Sequence, residues 1–112
     1  MFERVAGNLE RYMDVLSFRQ KLVASNLANA DTPGYKTRDV DFQFEFMTAI
    51  KGEQPQVIEP EGLETKNDGN NVSIDREARL LAENAIRFNL ASVLARGEIK
   101  TLKSAIQEGR NG

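Results

Sequence analysis

Apolar residues recur at steps of three and four along two long stretches, one at each end of this chain. In the first, Phe2, Val5, Leu9, Tyr12, Leu16, Val23 and Ala30 share one stripe, with Arg19 and Asn26 in its two remaining places. Met13, Leu22 and Leu27 widen it. In the second, Ala78, Leu81, Ala85, Phe88, Ala95, Ile99, Leu102 and Ile106 repeat the pattern, broken only by Ser92. A repeat of about 3.5 residues is the mark of a helix seam. It predicts helices over about residues 2–30 and 74–108, both far longer than the usual ~11–12 residues. Ser73 is positioned to cap the second helix, Asp75 and Glu77 complement its dipole, and Gly109 and Gly112 are expected to end it. At 112 residues the chain is one domain at most. The expected fold is mainly α: a helical hairpin, packed like a coiled-coil pair, around an irregular middle.

That middle, residues 39–72, reads differently. Val40, Phe42, Phe44 and Phe46 alternate with polar residues as in a strand. Phe42, Phe46, Ala49 and Ile50 also share one helical face, with Asp41 as a cap and Gly52 as a stop. The helical reading is preferred. Residues 53–72 carry Pro55, Pro60, Gly62 and Gly69 and predict extended chain and turns, with Val57-Ile58 at most a short strand. The second helix has more apolar surface than one partner can cover. Leu80, Ile86, Leu90, Val93 and Leu94 lie off its main seam, which points to partners outside the chain.

Composition removes several function classes. There is no Cys, no His and no Trp, so disulfides, thiolate or imidazole catalysis and Cys/His zinc sites are excluded. No apolar run approaches the ~20 residues of a membrane span, and the start of the chain has no signal-peptide core. The net charge of −2 hides an acidic middle. Residues 39–68 hold eight acidic and two basic side chains between two ends that are each slightly basic. No basic face suits a nucleic acid.

Between the first helix and the middle stands Ser25-Asn26-Leu27-Ala28-Asn29-Ala30-Asp31-Thr32-Pro33-Gly34-Tyr35-Lys36. Pro33 pushes Thr32 out of the α region, and Thr32-Pro33-Gly34-Tyr35 fits a type II turn with positive φ at Gly34. The twelve residues resemble the signature of the flagellar rod and hook protein family, in which they close the N-terminal helix of an axial subunit. Asp68-Gly69-Asn70-Asn71-Val72-Ser73-Ile74-Asp75-Arg76-Glu77 and Leu81–Asn89 are similar to the C-terminal helix of proximal rod members. The resemblance covers residues 1–50 and 68–109. The chain looks short for that family, with the missing length in the middle, and Phe88 stands where Tyr is frequent.

The resemblance implies a structural subunit of the bacterial flagellar basal body, in the torque-transmitting rod. It implies self-association in a helical assembly, with other rod proteins and base ring or export-gate proteins as partners. It also implies export into the periplasmic rod without a cleaved signal. The signature turn would comprise Asn26, Asn29, Thr32, Pro33, Gly34 and Tyr35, within residues 31–38 and the helix end. The two asparagines would bond backbone groups around the turn. The assembly seam would comprise Leu9, Tyr12, Leu16, Val23, Leu81, Ala85, Phe88, Ile99, Leu102 and Ile106. Gly97, inside the helix pattern, marks either a close helix approach or a tolerated weak spot.

Other constellations carry less. Asp39 and Asp41 lack a base or metal partner and read as a solvated turn. Asn67-Asp68-Gly69-Asn70-Asn71 partly resembles a calcium loop, but its Gly comes too early and no Glu closes the frame. Asn71-Val72-Ser73 fits the N-glycosylation pattern, which is common by chance. No cofactor, metal or catalytic residue is expected. The alternative is a cytoplasmic coiled-coil adaptor or export chaperone, which would be strongly helical as a dilute monomer. A hook or distal-rod relative would carry large insertions that this chain lacks.

Overall fold

The computed structural model describes residues 2–41 and 55–111. Two helices dominate it: α1, Phe2–Ala28, and α2, Ile74–Asn111. They run antiparallel. Asn26 near the end of α1 meets Glu77 at the start of α2, and Gln20 one to two turns earlier meets Asn84 one to two turns later. The molecule is accordingly elongated, 71 × 24 × 17 Å. Between the helices, β1 (Asp39–Val40) pairs antiparallel with β2 (Val57–Ile58), in the register Asp39 opposite Ile58 and Val40 opposite Val57. The short helix expected over residues 41–52 lies outside the described residues, apart from Asp41.

Helix α1 stops at Ala28, two residues before the expected limit, because its last turn tightens. The Ala30 N–H reaches back only to the Leu27 carbonyl, at 3.3 Å, and the Thr32 N–H to Asn29, at 3.1 Å. At the start of α2 the Ser73 hydroxyl accepts from the Arg76 N–H at 3.3 Å, as an N-cap does. Helix α2 passes through Gly97 and Gly109 instead of ending at the latter. Neither glycine takes the positive φ of a helix stop, and a helical glycine costs only about 1 kcal/mol relative to alanine.

The core forms where the stripes meet. Val15, Leu16 and Val23 from α1 are buried with Leu80 and Ala91 from α2, and Ala30, Val40 and Val72 seal the turn end. On α1 the seam read from sequence is the inward face over its second half, while Leu9 and Tyr12 are half-buried and Val5 is exposed. On α2 the inward face differs from the sequence reading. Glu77, Leu80, Asn84 and Ala91 are buried, whereas Leu81 and Phe88 are each 40% exposed and Ala78 and Ala85 are exposed. The helix is turned by roughly 60° from the expected seam, given about 100° per residue. A helix that is apolar on several sides does not choose its rotation by hydrophobicity alone. Two polar anchors, Glu77 and Asn84, make that choice by finding Asn26 and Gln20.

Candidate functional site

Asn26 sits at the centre of the best-connected region. It is fully buried, and its amide uses all of its bonding capacity. The Nδ2 group donates to the Arg38 carbonyl at 2.8 Å and to Glu77 Oε2 at 3.1 Å. Oδ1 accepts from the Arg38 N–H at 3.0 Å and from the Tyr35 hydroxyl at 3.1 Å. The amide thus pairs with both backbone groups of Arg38, as a neighbouring strand would. It also ties α1, the returning chain and α2 together at one point.

A charged layer lies against it. Arg19 binds Asp39 with two parallel bonds, Nε to Oδ1 and Nη2 to Oδ2, both at 2.9 Å. Arg76 bridges the two carboxylates: Nη2 reaches Asp39 Oδ2 at 2.5 Å and Nη1 reaches Glu77 Oε1 at 2.7 Å. The Val40 N–H donates to Asp39 Oδ1 at 2.7 Å. Two guanidinium and two carboxylate groups balance one another, which is what permits Asp39 and Glu77 to be buried. Asp39 is therefore not in a solvated turn, as its sequence context suggested. Glu77 likewise acts as a buried link and not as an exposed complement to the helix dipole.

Burial by itself pushes the Asp39 carboxyl up. The Arg19 hydrogen bonds, the Val40 N–H, the Arg19 charge and the Arg76 hydrogen bond more than offset this, so Asp39 titrates below the ordinary aspartate range. The folded value lies under the unfolded one. The stabilisation is then fully present above about pH 3.9 and is lost as pH falls through the lowered folded value. In urea unfolding of wild type and Asp39→Asn, the wild-type midpoint should fall more steeply with acid below about pH 3.9. Equal acid slopes would contradict the assignment.

The turn itself closes with a Tyr35 N–H to Thr32 carbonyl bond of 3.2 Å and a φ of 76° at Gly34, the geometry of type II. Pro33 is exposed on its outside. Asn29 donates from its side chain to the Ser25 carbonyl at 2.8 Å and accepts from the Thr32 hydroxyl at 3.0 Å. A second loop locks onto the first. Gly69 has φ 89°, and a Cβ placed there would sit 3.4 Å from the Gly34 Cα. Next to it, the buried Asn70 amide donates to the carbonyls of Asn29 (2.9 Å) and Thr32 (2.8 Å). Lys66 reaches the Ala30 carbonyl at 3.3 Å, and Lys36 reaches the Gly69 carbonyl at 2.5 Å. The last turn of α1 has no basic residue of its own, and Lys66 and Asn70 from distant sequence bond the carbonyls of Asn29, Ala30 and Thr32 in the turn just beyond it.

Residues 66–70 accordingly form a turn, with Lys66 and Asn70 bonded through their backbones at 2.8 Å. Asn71, the residue of the glycosylation pattern, is engaged too: its Oδ1 accepts from the Thr37 N–H at 2.6 Å. Among the described residues no cluster of three or more carboxylates suits a metal ion. Along the helix pair, Leu16, Ala85 and Phe88 meet at the rim of an open groove of about 380 Å³. Val23 is in the core and Ile106 is exposed. Ile99 and Leu102 lie on α2, and their side chains fall outside the described set.

The turn is readable in the sequence, but its buried neighbours Asp39, Asn70 and Glu77 are not, nor are Arg76, which bridges two carboxylates, and Asn84, which bonds Gln20 farther along the helices. One signal was present. Glu77, Leu80, Asn84 and Ala91 also follow steps of three, four and seven, and Glu77 meets Asn26, a polar place on the first seam.

The family described as flagella basal body rod protein matches residues 13–36, the second half of α1 and the turn. Over nearly the whole chain the similarity is to the flagellar basal body rod protein FlgB. That of Escherichia coli K12 is 31% identical over 137 aligned positions, covering 97% of this chain and 99% of that protein. The chain belongs to the FlgB family. The Borrelia hermsii FlgB is 30% identical, covering 96% of this chain and 98% of its own length, and the Bacillus subtilis FlgB is 28% identical, covering 98% of each. An alignment of 137 positions exceeds the 112 residues here, so the Escherichia coli member of the FlgB family has segments that this chain lacks.

Proposed function

We infer that this chain is a structural subunit of the bacterial flagellar basal body rod, and that it works by packing and not by catalysis. The observation that carries the reading is the full-length similarity to FlgB proteins at 31% identity. The architecture fits it. A hairpin locked at one end by a polar interlock holds two long helices antiparallel. Its outer faces keep large apolar side chains exposed, among them Leu81, Phe88 and Ile106. Such faces are stable only when covered, and head-to-tail coverage between identical subunits produces a helical tube. In this reading the subunit belongs to the proximal, torque-transmitting part of the rod, on the periplasmic side. It arrives there by flagellar export without a cleaved signal. Its neighbours are other rod proteins and the ring and export-gate proteins at the base.

The seam assigns a separate role to residues that contribute little to the fold. Phe88→Asp and Leu81→Asp should leave the isolated chain folded, with urea midpoints near wild type, because both side chains are already 40% exposed. In cells lacking the native gene they should abolish swimming and rod assembly, because an unpaired charge in a packed interface costs several kcal/mol, about 3–5. Leu102→Asp should also abolish swimming, and Arg79→Ala should be mild. With export and protein level measured separately, wild-type swimming in Phe88→Asp cells would refute this seam.

A further inference from the structure

The side of α2 turned away from α1 carries a second apolar stripe that the rod seam does not use. Ile86 is 69% exposed, Leu90 58%, Val93 49% and Leu94 50%. Ile86, Leu90, Val93 and Gly97 follow alternating steps of four and three. This puts them in one column roughly 140° around the helix from the buried face of Glu77, Leu80 and Asn84. Glu83 continues the column at one end and Lys100 at the other, both exposed. At Gly97 nothing lies within 4 Å of where a Cβ would stand, so a second backbone has open room to approach.

We propose that this column pairs with the same column of a second copy, antiparallel, as a two-fold dimer of the free subunit. The pairing is self-complementary in size and charge. Around the centre between Leu90 and Val93, Leu90 of one copy faces Val93 of the other, and bulky Ile86 faces Gly97. Glu83 faces Lys100, and each of these pairs occurs twice. The parallel in-register alternative places Glu83 against Glu83, Lys100 against Lys100 and glycine against glycine. It therefore brings like charges together and leaves a gap beside Gly97. An isologous contact also closes on itself, unlike the head-to-tail contacts of a growing tube. The dimer is thus a form of the unassembled chain that covers its most exposed apolar stripe, and it goes beyond the rod reading.

Sedimentation equilibrium of the full chain over a concentration series tests it. Wild type should show a monomer–dimer equilibrium. Glu83→Lys should weaken it by about tenfold, because two attractive pairs become repulsive. The double change Glu83→Lys with Lys100→Glu should restore it, since the pairs are only exchanged. Gly97→Leu should give a monomer that is at least as helical as wild type by circular dichroism, because leucine favours helix and blocks only the close approach. The native chain has no cysteine, so Glu83→Cys together with Lys100→Cys should oxidise to a covalent dimer while Glu83→Cys alone does not. A chain that stays monomeric at every concentration, a charge exchange that fails to restore association, or self-crosslinking of Glu83→Cys alone would overturn the proposal.

Discussion

Asn26→Leu should remove a large share of the stability of this chain. The substitution leaves four groups without their partner: the N–H and carbonyl of Arg38, the Tyr35 hydroxyl and Glu77 Oε2. Tyr35 still has Ser25 Oγ at 3.2 Å, and Glu77 still has Arg76, but the Arg38 backbone groups lose the bonds that Asn26 gave them. A buried polar group left unpaired costs about 1–3 kcal/mol, and the two Arg38 bonds are part-buried, so the total is about 2–4 kcal/mol. That is a large share of the stability of a small domain, about 5–15 kcal/mol. Asn26→Asp should also be strongly destabilising, although it is nearly the same shape. It keeps the acceptor for the Arg38 N–H but sets a carboxylate against the Glu77 carboxylate and the Arg38 carbonyl. Urea unfolding of the three proteins measures this. An Asn26→Asp variant as stable as wild type would show that the Nδ2 bonds contribute nothing.

Gly34→Val should cripple the turn, and Gly34→Asn should be a partial rescue. At φ 76° a β-branched residue is strained by about 1–3 kcal/mol, whereas asparagine tolerates the left-handed region. A Cβ at Gly34 itself meets open space, so the effect is one of backbone conformation and not of collision. The partner glycine is under both constraints. Gly69→Val is strained at φ 89° and also thrusts its side chain onto the Gly34 backbone, so it should be the worse of the two. Because the two loops seat each other, either change displaces Asn70 from the end of α1 and misaims the chain that follows. Swimming of complemented cells at matched protein levels, set beside thermal unfolding of the purified variants, reads both consequences. Equal swimming of the Val and Asn variants would show that turn geometry does not matter.

The two helices and the turn were legible in the sequence because their signals are local. A 3.5-residue repeat, a Pro-Gly pair and a capping serine each act within a few residues. The charged layer was not legible for the opposite reason. Arg19 and Asp39 are 20 residues apart, and Asp39 and Arg76 are 37 apart. Read locally, each is an ordinary surface charge. Only the hairpin brings them together, and only then can the Asp39 carboxylate be taken out of water. The rotation of α2 was missed for a related cause. Several apolar columns compete on that helix, and the choice is made by Glu77 and Asn84 finding polar partners on α1. Strand β1 contains Val40, the first residue of the alternating run Val40–Phe46, but two strand residues carry too little period to decide between the strand and helix readings of that run. The pairing of Val57-Ile58 with it lies within the extended chain expected there.

The signature residues act as an interlock, with Asn26 serving as the hydrogen-bond partner of an otherwise irregular stretch. Amide hydrogen exchange resolved to single residues tests it most directly. The Thr37 and Arg38 amides lie outside any helix or strand, yet they donate to Asn71 and Asn26 side chains at 2.6 and 3.0 Å. They should exchange as slowly as the core of α1, and Asn26→Ala should release the Arg38 amide. Thr37 and Arg38 amides exchanging at the rate of an open loop, while α1 stays protected, would contradict it.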